Sequence, residues 1–319
     1  MKIVFMGTPD FAVGILQELI DQKMDVVAVV TAPDKPAGRG QQLSESAVKK
    51  YATSENLNIL QPTNLKDALF IEDLKALSAD LFVVVAFRML PEIVWNMPPK
   101  GTINLHASLL PNYRGAAPIN WAIINGEKKT GVTTFFIEQE IDTGLIIERE
   151  ELEITENKTA GELHDKLLNL GKKLVSQSVR KIEDGTVVRI PQQDLIDEKG
   201  ILPAPKIFKP MCEVDFSKDV QTVHNFCRGL SPYPTAWTVI ENRETGEKKS
   251  LKLFKTEKTE TSVENQDELI ATKKDFFMPC EDFYLKVLEL QPEGKRRMLA
   301  HEFLAGYDIS KWKICSSKD

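Results

Sequence analysis

The stretch Lys2-Ile-Val-Phe-Met-Gly-Thr-Pro-Asp-Phe-Ala-Val-Gly-Ile-Leu-Gln-Glu-Leu-Ile20 opens with an apolar run, continues through a turn and ends in a helix-like pattern. The first part predicts a strand and the last part an amphipathic helix. Continuous apolar runs return at residues 25–31, 59–60 and 80–86, with helix-like segments between them. Runs of Val and Ile are typical of parallel strands that are buried on both faces. The N-terminal half therefore predicts an α/β fold with a Rossmann-like, mostly parallel sheet.

Length and composition indicate an ordinary globular protein with more than one domain. The chain has 319 residues, of which 42% are hydrophobic and 28% charged. The N-terminal apolar run is interrupted by Pro9 and Asp10, which argues against a signal peptide or a membrane span. We therefore expect a cytoplasmic protein with no membrane partner.

Net charge, cysteine spacing and glycine spacing argue against three kinds of binding site. A formal net charge of -6 gives no global attraction to nucleic acid, so any RNA-binding surface must be local. The four cysteines are scattered without the spacing of a zinc site, so we expect no metal. The turn at Gly7 has only one of the three glycines of a dinucleotide-binding motif, which argues against a nicotinamide cofactor.

A second stretch, Asn104-Leu-His-Ala-Ser-Leu-Leu-Pro-Asn-Tyr-Arg-Gly-Ala-Ala-Pro118, has the pattern of an active site. Side chains alternate between the faces of a strand, so Asn104, His106 and Ser108 are predicted to share one face. The strand must end soon afterwards, because Pro111 lacks a backbone donor. An amide and an imidazole on one face can stabilise a tetrahedral oxyanion and exchange a proton.

Asp142 lies in a loop between two predicted strands, residues 131–137 and 144–150. Its carboxylate could approach His106, to fix the tautomer of the ring or to accept a proton. A Ser108, His106 and Asp142 triad is an alternative, although no G-x-S-x-G elbow is present to expose the serine. Each residue taken alone also has a structural interpretation, as a hydrogen-bonded histidine, a turn former or a cap. Only their joint occurrence favours catalysis.

The second half predicts a smaller β domain. A helix is predicted from about residue 159 to residue 184, followed by a segment rich in Pro and polar residues. Short strand patterns separated by polar turns then indicate a C-terminal β-barrel of OB-like type. The predicted divisions are residues 1–189 for the catalytic domain, 190–206 for a linker and 207–319 for the C-terminal domain.

Residues 104–118 and the later Ile141-Asp-Thr-Gly144 together resemble the signature of folate-dependent formyltransferases. The turn at residues 7–12 and the segment Pro33-Asp-Lys-Pro-Ala-Gly-Arg-Gly40 resemble those members of the family that act on tRNA. The resemblance covers essentially the whole chain, since it continues through residues 230–237 and 290–295.

The resemblance implies transfer of a formyl group from 10-formyltetrahydrofolate to the α-amino group of methionine on initiator tRNA, the step that prepares translation initiation. No metal is implied. In such a family Asn104, His106 and Asp142 correspond to the catalytic residues. Attack of an amine on the formyl carbon creates an oxyanion, for which Asn104 and His106 are expected to be donors. Asp142 is expected to orient His106 and to help remove the amine proton.

The resemblance also implies two groups of folate-binding residues. One is the segment after the catalytic histidine, Ser108, Leu109, Leu110 and Pro111. The other follows the strand at residues 80–86 and consists of Phe87, Arg88, Met89 and Leu90. This second group departs from the usual family form, a Tyr-Gly pair with a slightly longer apolar run, and has Arg88 in place of a small residue.

The tRNA contacts implied by the resemblance lie in two places. The loop 34–40 is predicted to enter the acceptor stem through Lys35 and Arg39. The C-terminal domain is predicted to contact the tRNA backbone, with Lys206, Lys209 and the basic run 295–297 as candidates. We expect a monomer.

Three alternatives stay open at this point. A formyltransferase acting on a small amine, such as a nucleotide sugar or glycinamide ribonucleotide, or a formyltetrahydrofolate hydrolase would use the same polar residues. A non-enzymatic RNA-binding module would need none of them and is expected to be more basic. The loop 34–40 and the second domain favour tRNA as the acceptor.

Overall fold

The computed structural model describes residues 1–37, 42–198 and 200–315. These residues form two compact units, each made of segments that are discontinuous in sequence. The first takes in segments up to Gly115 and the segments Thr130–Leu152 and His164–Pro203. The second takes in Ala116–Lys129, Glu153–Leu163 and the residues from Ala204 onward.

The helices and strands follow the order that the first half of the sequence predicts. Strands in the region up to residue 204 are β1 Lys2–Gly7, β2 Asp25–Val30, β3 Lys35–Ala37, β4 Gln42–Ser44, β5 Ile59–Leu60, β6 Leu81–Val85, β7 Thr102–His106, β8 Arg114–Gly115, β9 Lys129–Phe136, β10 Ile146–Glu153 and β11 Pro203–Ala204. Helices of the same region are α1 Asp10–Asp21, α2 Ala47–Ser54, α3 Ala68–Ala76, α4 Glu92–Trp95, α5 Pro118–Ile124 and α6 Ala160–Glu183. A 3-10 turn covers Gln192–Leu195.

The main sheet has the strand order β10-β9-β7-β6-β1-β2-β5. The five strands from β7 to β5 run parallel to one another, and β9 pairs with β7 in antiparallel fashion. Strands β1 and β6 are buried almost throughout, as the apolar runs predict. The predicted Rossmann-like, mostly parallel sheet is confirmed.

Helix α6 determines which face of β7 is available for a site. A Cβ on Gly171 of α6 would lie 2.7 Å from Cδ2 of Leu105, so the helix packs closely on this strand. Leu105 and Ile103 are buried and share that face. Asn104 and His106 alternate with them and therefore lie on the opposite face of the sheet.

The second unit has its own sheet and core. Its remaining elements are α7 Val220–Gly229, β12 Ala236–Asn242, β13 Lys248–Ser262, β14 Ile270–Ala271, β15 Phe276–Pro279, β16 Phe283–Pro292, β17 Met298–Leu299, α8 Ala300–Leu304 and β18 Trp312–Cys315, with 3-10 turns at Lys209–Cys212 and Ile309–Lys311. The strand order is β14-β15-β16-β13-β12-β18, with β17 paired to β16, and the pairs in it are antiparallel. An antiparallel C-terminal sheet is thus confirmed, while its closure into an OB-like barrel stays a prediction.

Packing explains why the second unit includes residues from the middle of the chain. Ile124 of α5 packs against the C-terminal core. The side-chain amide of Asn120 donates to the carbonyl of Gly229 at 2.7 Å, and a Cβ on Gly229 would lie 2.7 Å from Cγ1 of Ile124. A contiguous division at residues 189 and 207 instead assigns α5 to the catalytic domain. Among the helices of the described residues, none has the length and apolarity needed to cross a membrane.

Candidate active site

His106 is the last residue of β7, and its ring is held by one nitrogen. Nε2 lies 2.8 Å from the carbonyl oxygen of Tyr113. A carbonyl can only accept, so we assign the hydrogen to Nε2, which leaves Nδ1 as the bare nitrogen of a neutral ring. Nδ1 lies 3.8 Å from Oδ2 of Asp142, which is longer than a hydrogen bond. The ring is therefore oriented by Tyr113, and its second nitrogen faces a carboxylate across a gap.

Asp142 is brought to this position by a tight loop between β9 and β10. Its φ of 57° lies in the left-handed region, which Asp tolerates better than most residues. Two residues later, a Cβ on Gly144 would lie 1.7 Å from the carbonyl oxygen of Phe136, so only glycine fits there. Oδ2 of Asp142 accepts a hydrogen bond from the backbone N–H of Gly115 at 2.9 Å. The carboxylate is thus fixed by backbone groups.

Asn104 lies two residues before His106 on the same face of β7 and is half-buried. Within residues 1–37, 42–198 and 200–315 its side-chain amide has no hydrogen-bond partner. The three predicted catalytic residues therefore include one unused amide, one imidazole nitrogen without a hydrogen bond and one carboxylate. Such a set can donate to an oxygen and exchange a proton.

Ser108 does not take part in this arrangement. Its hydroxyl is fully buried and donates to the carbonyl of Asn112 at 2.7 Å, while the described partners of the His106 ring nitrogens are Tyr113 and Asp142. The serine-nucleophile alternative requires a hydrogen bond from the serine to the histidine, and the structure instead directs the hydroxyl to the backbone.

The rest of the segment predicted to bind folate is mostly packed into the protein. Leu110 is fully buried in a small cluster with Phe135 and Ile146. Pro111 is also buried, and Leu109 is half-buried. The side chains of Ser108 and Leu110 are committed to the fold, so direct ligand contacts from these two residues in this conformation would have to come from the backbone.

The second predicted folate group borders an open pocket of about 710 Å³, lined by residues 63–66 and 88–93. Met89 is 68% exposed, whereas Leu90 is buried and Phe87 packs partly against the core. Nη1 of Arg88 donates to the carbonyl of Thr63 at 2.9 Å, and Nη2 donates to the carbonyl of Pro62. Arg88 thus joins the two loops that form the pocket.

The pocket and the histidine lie at the same edge of the sheet. Strand β6 is the parallel neighbour of β7, with Val84 opposite Asn104 and Val85 opposite Leu105. The loop that begins after Val85 therefore starts beside the end of β7. Ligands of open α/β sheets bind at this carboxyl edge.

With one exception, the predicted tRNA-binding side chains that the structure describes are exposed and form no ion pair with another described residue. Lys35 is exposed at the start of β3, which pairs with β4, and Arg39 lies outside the described residues. Lys206 and Lys209 are exposed on the second unit. The exception is the basic run 295–297, in which Arg296 pairs with Glu302 and Arg297 makes two bonds of 2.6 Å to Glu289.

Sequence reasoning missed Gln192, which it placed in a linker. This side chain is 3% exposed, and its Nε2 donates to the carbonyls of Asp142 at 2.8 Å and Gly144 at 2.9 Å. Its Oε1 accepts from Nε and Nη2 of Arg114 at 3.1 and 2.7 Å. A glutamine in a Pro-rich polar segment carries no sequence signal for such a role.

Comparison with known families agrees with this site. A model described as formyl transferase matches residues 1–179, and a model described as formyl transferase, C-terminal domain, matches residues 206–308. The chain therefore belongs to the formyl transferase family, and its resemblance to folate-dependent formyltransferases is confirmed.

Similar curated proteins are named methionyl-tRNA formyltransferase. The one from Flavobacterium psychrophilum is 52% identical over 317 residues, 98% of each chain, and that from Flavobacterium johnsoniae is 50% identical over 311 residues, 97% of each chain. The one from Bacteroides thetaiotaomicron is 48% identical over 312 residues, again 97% of each chain. This chain is thus similar to methionyl-tRNA formyltransferases over nearly its whole length.

Solved structures share the fold at lower identity. WlaRD, a sugar 3N-formyl transferase solved with dTDP and 5-N-formyl-THF, aligns with a TM-score of 0.64 at 20% identity over 93% of this chain and 99% of that one. HypX from Aquifex aeolicus, solved with tetrahydrofolic acid, aligns with a TM-score of 0.64 at 17% identity over 95% of this chain and 47% of that one. Across the described residues, no group of three or more His, Cys, Asp and Glu side chains is placed to hold a metal ion.

Proposed function

We propose that this protein transfers the formyl group of 10-formyltetrahydrofolate to the α-amino group of methionine carried by initiator tRNA. Membership of the formyl transferase family and about 50% identity to methionyl-tRNA formyltransferases over 97–98% of the chain support the reaction and the acceptor. The observation that carries the proposal is the approach of His106 and Asp142, 3.8 Å apart, beside the amide of Asn104, which has no hydrogen-bond partner among the described residues.

The residues present fit a folate. The pocket lined by residues 63–66 and 88–93 opens at the carboxyl edge of the sheet and combines apolar side chains with two cations, Lys66 and Arg88, and one acidic residue, Glu92. Apolar walls suit a flat heteroaromatic ring, and cations suit the carboxylates of a glutamyl tail. We infer that Phe87, Arg88, Met89 and Leu90 border this co-substrate, together with the backbone of residues 108–111. When bound, it supplies the electrophilic formyl carbon.

His106 is proposed to exchange the amine proton through Nδ1. Since Nε2 is occupied by the carbonyl of Tyr113, Nδ1 is the nitrogen that can accept a proton from an attacking amine. Once protonated, the ring can donate from Nδ1 to the oxygen on which negative charge develops, and it can then return the proton to the folate nitrogen that leaves when its bond to the formyl carbon breaks. Asn104 is proposed as the second donor to that oxygen, because its amide has no partner among the described residues.

Asp142 is proposed to stabilise the ring while it holds the amine proton, and to receive that proton directly or through water. A carboxylate 3.8 Å from Nδ1 stabilises positive charge on the ring by Coulomb attraction. The sequence suggests that Asp142 orients the His106 ring. We propose instead that the carbonyl of Tyr113 orients it.

An assay with defined acceptors tests the proposal. The protein is incubated with 10-formyltetrahydrofolate and either methionyl-initiator tRNA, a nucleotide amino sugar, glycinamide ribonucleotide or no amine. We expect formylmethionyl-tRNA as the product. Formylation of a small amine without formylation of the tRNA would place the chain with the sister formyltransferases, and release of formate in all tubes alike would make it a hydrolase.

We also propose the form of the second unit, the residues that contact tRNA, and the oligomeric state and location of the protein. The second unit is proposed to form an OB-like barrel, supported by the position of β14 next to the turn Ile309–Lys311 that precedes β18. Its exposed bases Lys206 and Lys209, with Lys35 and Arg39 of the first unit, are proposed to contact tRNA. We also propose a monomer that works in the cytoplasm, where aminoacylated tRNA is made.

A further inference from the structure

The segment after α6 is attached to both loops of the active site. The backbone N–H of Leu202 donates to Oδ1 of Asn112 at 3.0 Å, and the carbonyl of Leu202 accepts from the N–H of Tyr113 at 2.6 Å. Tyr113 is the residue whose carbonyl holds the His106 ring. The C-terminal end of the predicted linker therefore fixes the loop that orients the histidine.

The N-terminal end of the same segment fixes the loop that carries Asp142. Gln192 uses its whole hydrogen-bonding capacity, with two donated bonds to the carbonyls of Asp142 and Gly144 and two bonds accepted from Arg114. A buried side chain whose donors and acceptors all form hydrogen bonds has one low-energy conformation. It therefore also fixes the positions of the groups to which it is bonded.

These bonds form a closed ring around the catalytic carboxylate. Gln192 binds the backbone of Asp142 on one side and the guanidinium of Arg114 on the other. The next residue, Gly115, donates its N–H to Oδ2 of Asp142 at 2.9 Å. One side chain thus ties the loop that presents the carboxylate to the segment that binds it.

These hydrogen bonds stabilise a loop whose backbone is under strain. Asp142 adopts a φ of 57°, a conformation that L-residues other than Gly occupy at a cost. Such a conformation persists only where surrounding contacts determine it. Without the two bonds from Gln192, the carbonyls of Asp142 and Gly144 would lose buried partners, and the loop would gain freedom to relax.

We propose that Gln192 is a positioning residue that sets the distance between the Asp142 carboxylate and Nδ1 of His106. The proposal rests on the catalytic part that the proposed function gives to Asp142. It follows that Gln192 acts on turnover through Asp142 and has little effect on substrate affinity, since misplacing a catalytic group by about 1 Å costs on the order of 100-fold in rate.

Gln192→Glu is the sharpest variant, because it has nearly the same shape. Its carboxylate keeps the acceptor for Arg114 but removes both donors to the Asp142 loop. Gln193→Glu is the matched control, since this neighbour carries the same change of charge on an exposed side chain. Gln192→Leu removes all four bonds and serves as the second variant.

The kinetic test is a double-mutant cycle with Asp142→Asn, measured as steady-state formyl transfer to methionyl-initiator tRNA. We expect Gln192→Glu to lower kcat by about 30- to 100-fold with KM values within about threefold, and to have less than about a threefold effect in the Asp142→Asn background. Gln193→Glu is expected to match the parent protein. An equal loss of rate in both backgrounds, or a loss carried by KM alone, would overturn the proposal.

A second readout needs no activity. Hydrogen exchange of the Gly115 amide, which donates to Asp142, is expected to accelerate at least about tenfold in Gln192→Glu and Gln192→Leu and to stay unchanged in Gln193→Glu. Unchanged protection in the Gln192 variants would refute the positioning role even if activity fell. A parent protein that formylates no methionyl-tRNA would refute the proposed function, and the exchange data would still decide the positioning role.

Discussion

Each compact unit buries a histidine, and the two are held in different ways. His224, in α7 of the second unit, uses both ring nitrogens: Nδ1 lies 2.9 Å from the hydroxyl of Thr256, and Nε2 lies 3.1 Å from Oδ1 of Asn157. His106, in the first unit, uses only Nε2 and leaves Nδ1 to face a carboxylate at 3.8 Å. Burial alone does not distinguish them, since they are 1% and 6% exposed.

The number of ring nitrogens that are bonded distinguishes a histidine with a structural role from one that is available for proton exchange. A ring with both nitrogens satisfied links segments of the fold, and here it joins α7 to β13 and to the segment at Asn157. A ring with one anchored nitrogen is oriented, and its other nitrogen stays available for proton exchange.

The largest expected effect is that of His106→Ala on turnover. Removing the proton-exchanging ring is expected to lower kcat for formyl transfer by about 10³- to 10⁴-fold, with folate affinity within about threefold. Steady-state kinetics and equilibrium folate binding measure the two quantities. His224→Gln is the matched histidine variant, and the contrast would fail if its kcat per folded molecule fell as far.

Asp142→Asn is expected to lower kcat by about 10²- to 10³-fold, because the amide keeps the shape but removes the carboxylate proposed to accept the proton. The bond from the N–H of Gly115 can persist, since an amide oxygen also accepts. We therefore expect little change in the melting temperature. A drop in melting temperature that accounts for the lost rate would assign Asp142 to the fold instead of to the chemistry.

The pH dependence of stability is expected to report His224. Burial, and then the charges of Arg228 and Lys258, lower the pKa of this histidine from 6.5 to about 4. The unfolded chain therefore takes up the proton first, so the contribution is complete above about pH 6.5 and is lost as the pH falls towards 4. The unfolding free energy should decrease by roughly 3 kcal/mol across that window because of this residue.

Urea unfolding of the parent protein and of His224→Gln between pH 7 and pH 4.5 measures this contribution. The variant, which cannot titrate, should have a flatter profile. Parallel profiles for the parent and His224→Gln would show that the buried ring does not govern acid sensitivity.

The smallest expected effect concerns tRNA binding. Lys206→Ala combined with Lys209→Ala is expected to raise KM for tRNA several-fold and to reduce the salt dependence of binding by roughly one unit of slope per lost phosphate contact. Arg296→Ala is the comparison, since its guanidinium is already paired with Glu302. If Arg296→Ala has a larger effect than the double lysine variant, the tRNA interface lies at the turn of residues 295–297 and not at the two lysines.

Much of the fold was predictable, because apolar periodicity records burial. The runs at residues 25–31 and 80–86 identified β2 and β6, and alternation along β7 placed Asn104 and His106 on one face. The division of the chain into units was less accessible, since the packing of α5 on the C-terminal core depends on distant contacts such as that between Asn120 and Gly229.

The sequence predicted which residues form the candidate site but not the contacts that hold them in place. Sequence placed Asp142 near His106, but it could not show that the carbonyl of Tyr113 orients the ring or that Gln192 holds the carboxylate loop. Both contacts use backbone carbonyls, which every residue possesses, so no pattern of side chains marks them. Ser108 is the opposite example. Its spacing from His106 suggested a catalytic role, but its hydroxyl donates a hydrogen bond to a backbone carbonyl.

The most direct test of the contrast between the two histidines is the nitrogen-15 NMR spectrum of their rings, followed across pH in the parent protein and assigned with His106→Ala and His224→Gln. The hydrogen bond to Tyr113 predicts that Nε2 of His106 carries the hydrogen of the neutral ring and that Nδ1 is bare. A neutral His106 ring with its hydrogen on Nδ1 and a bare Nε2 would contradict the account.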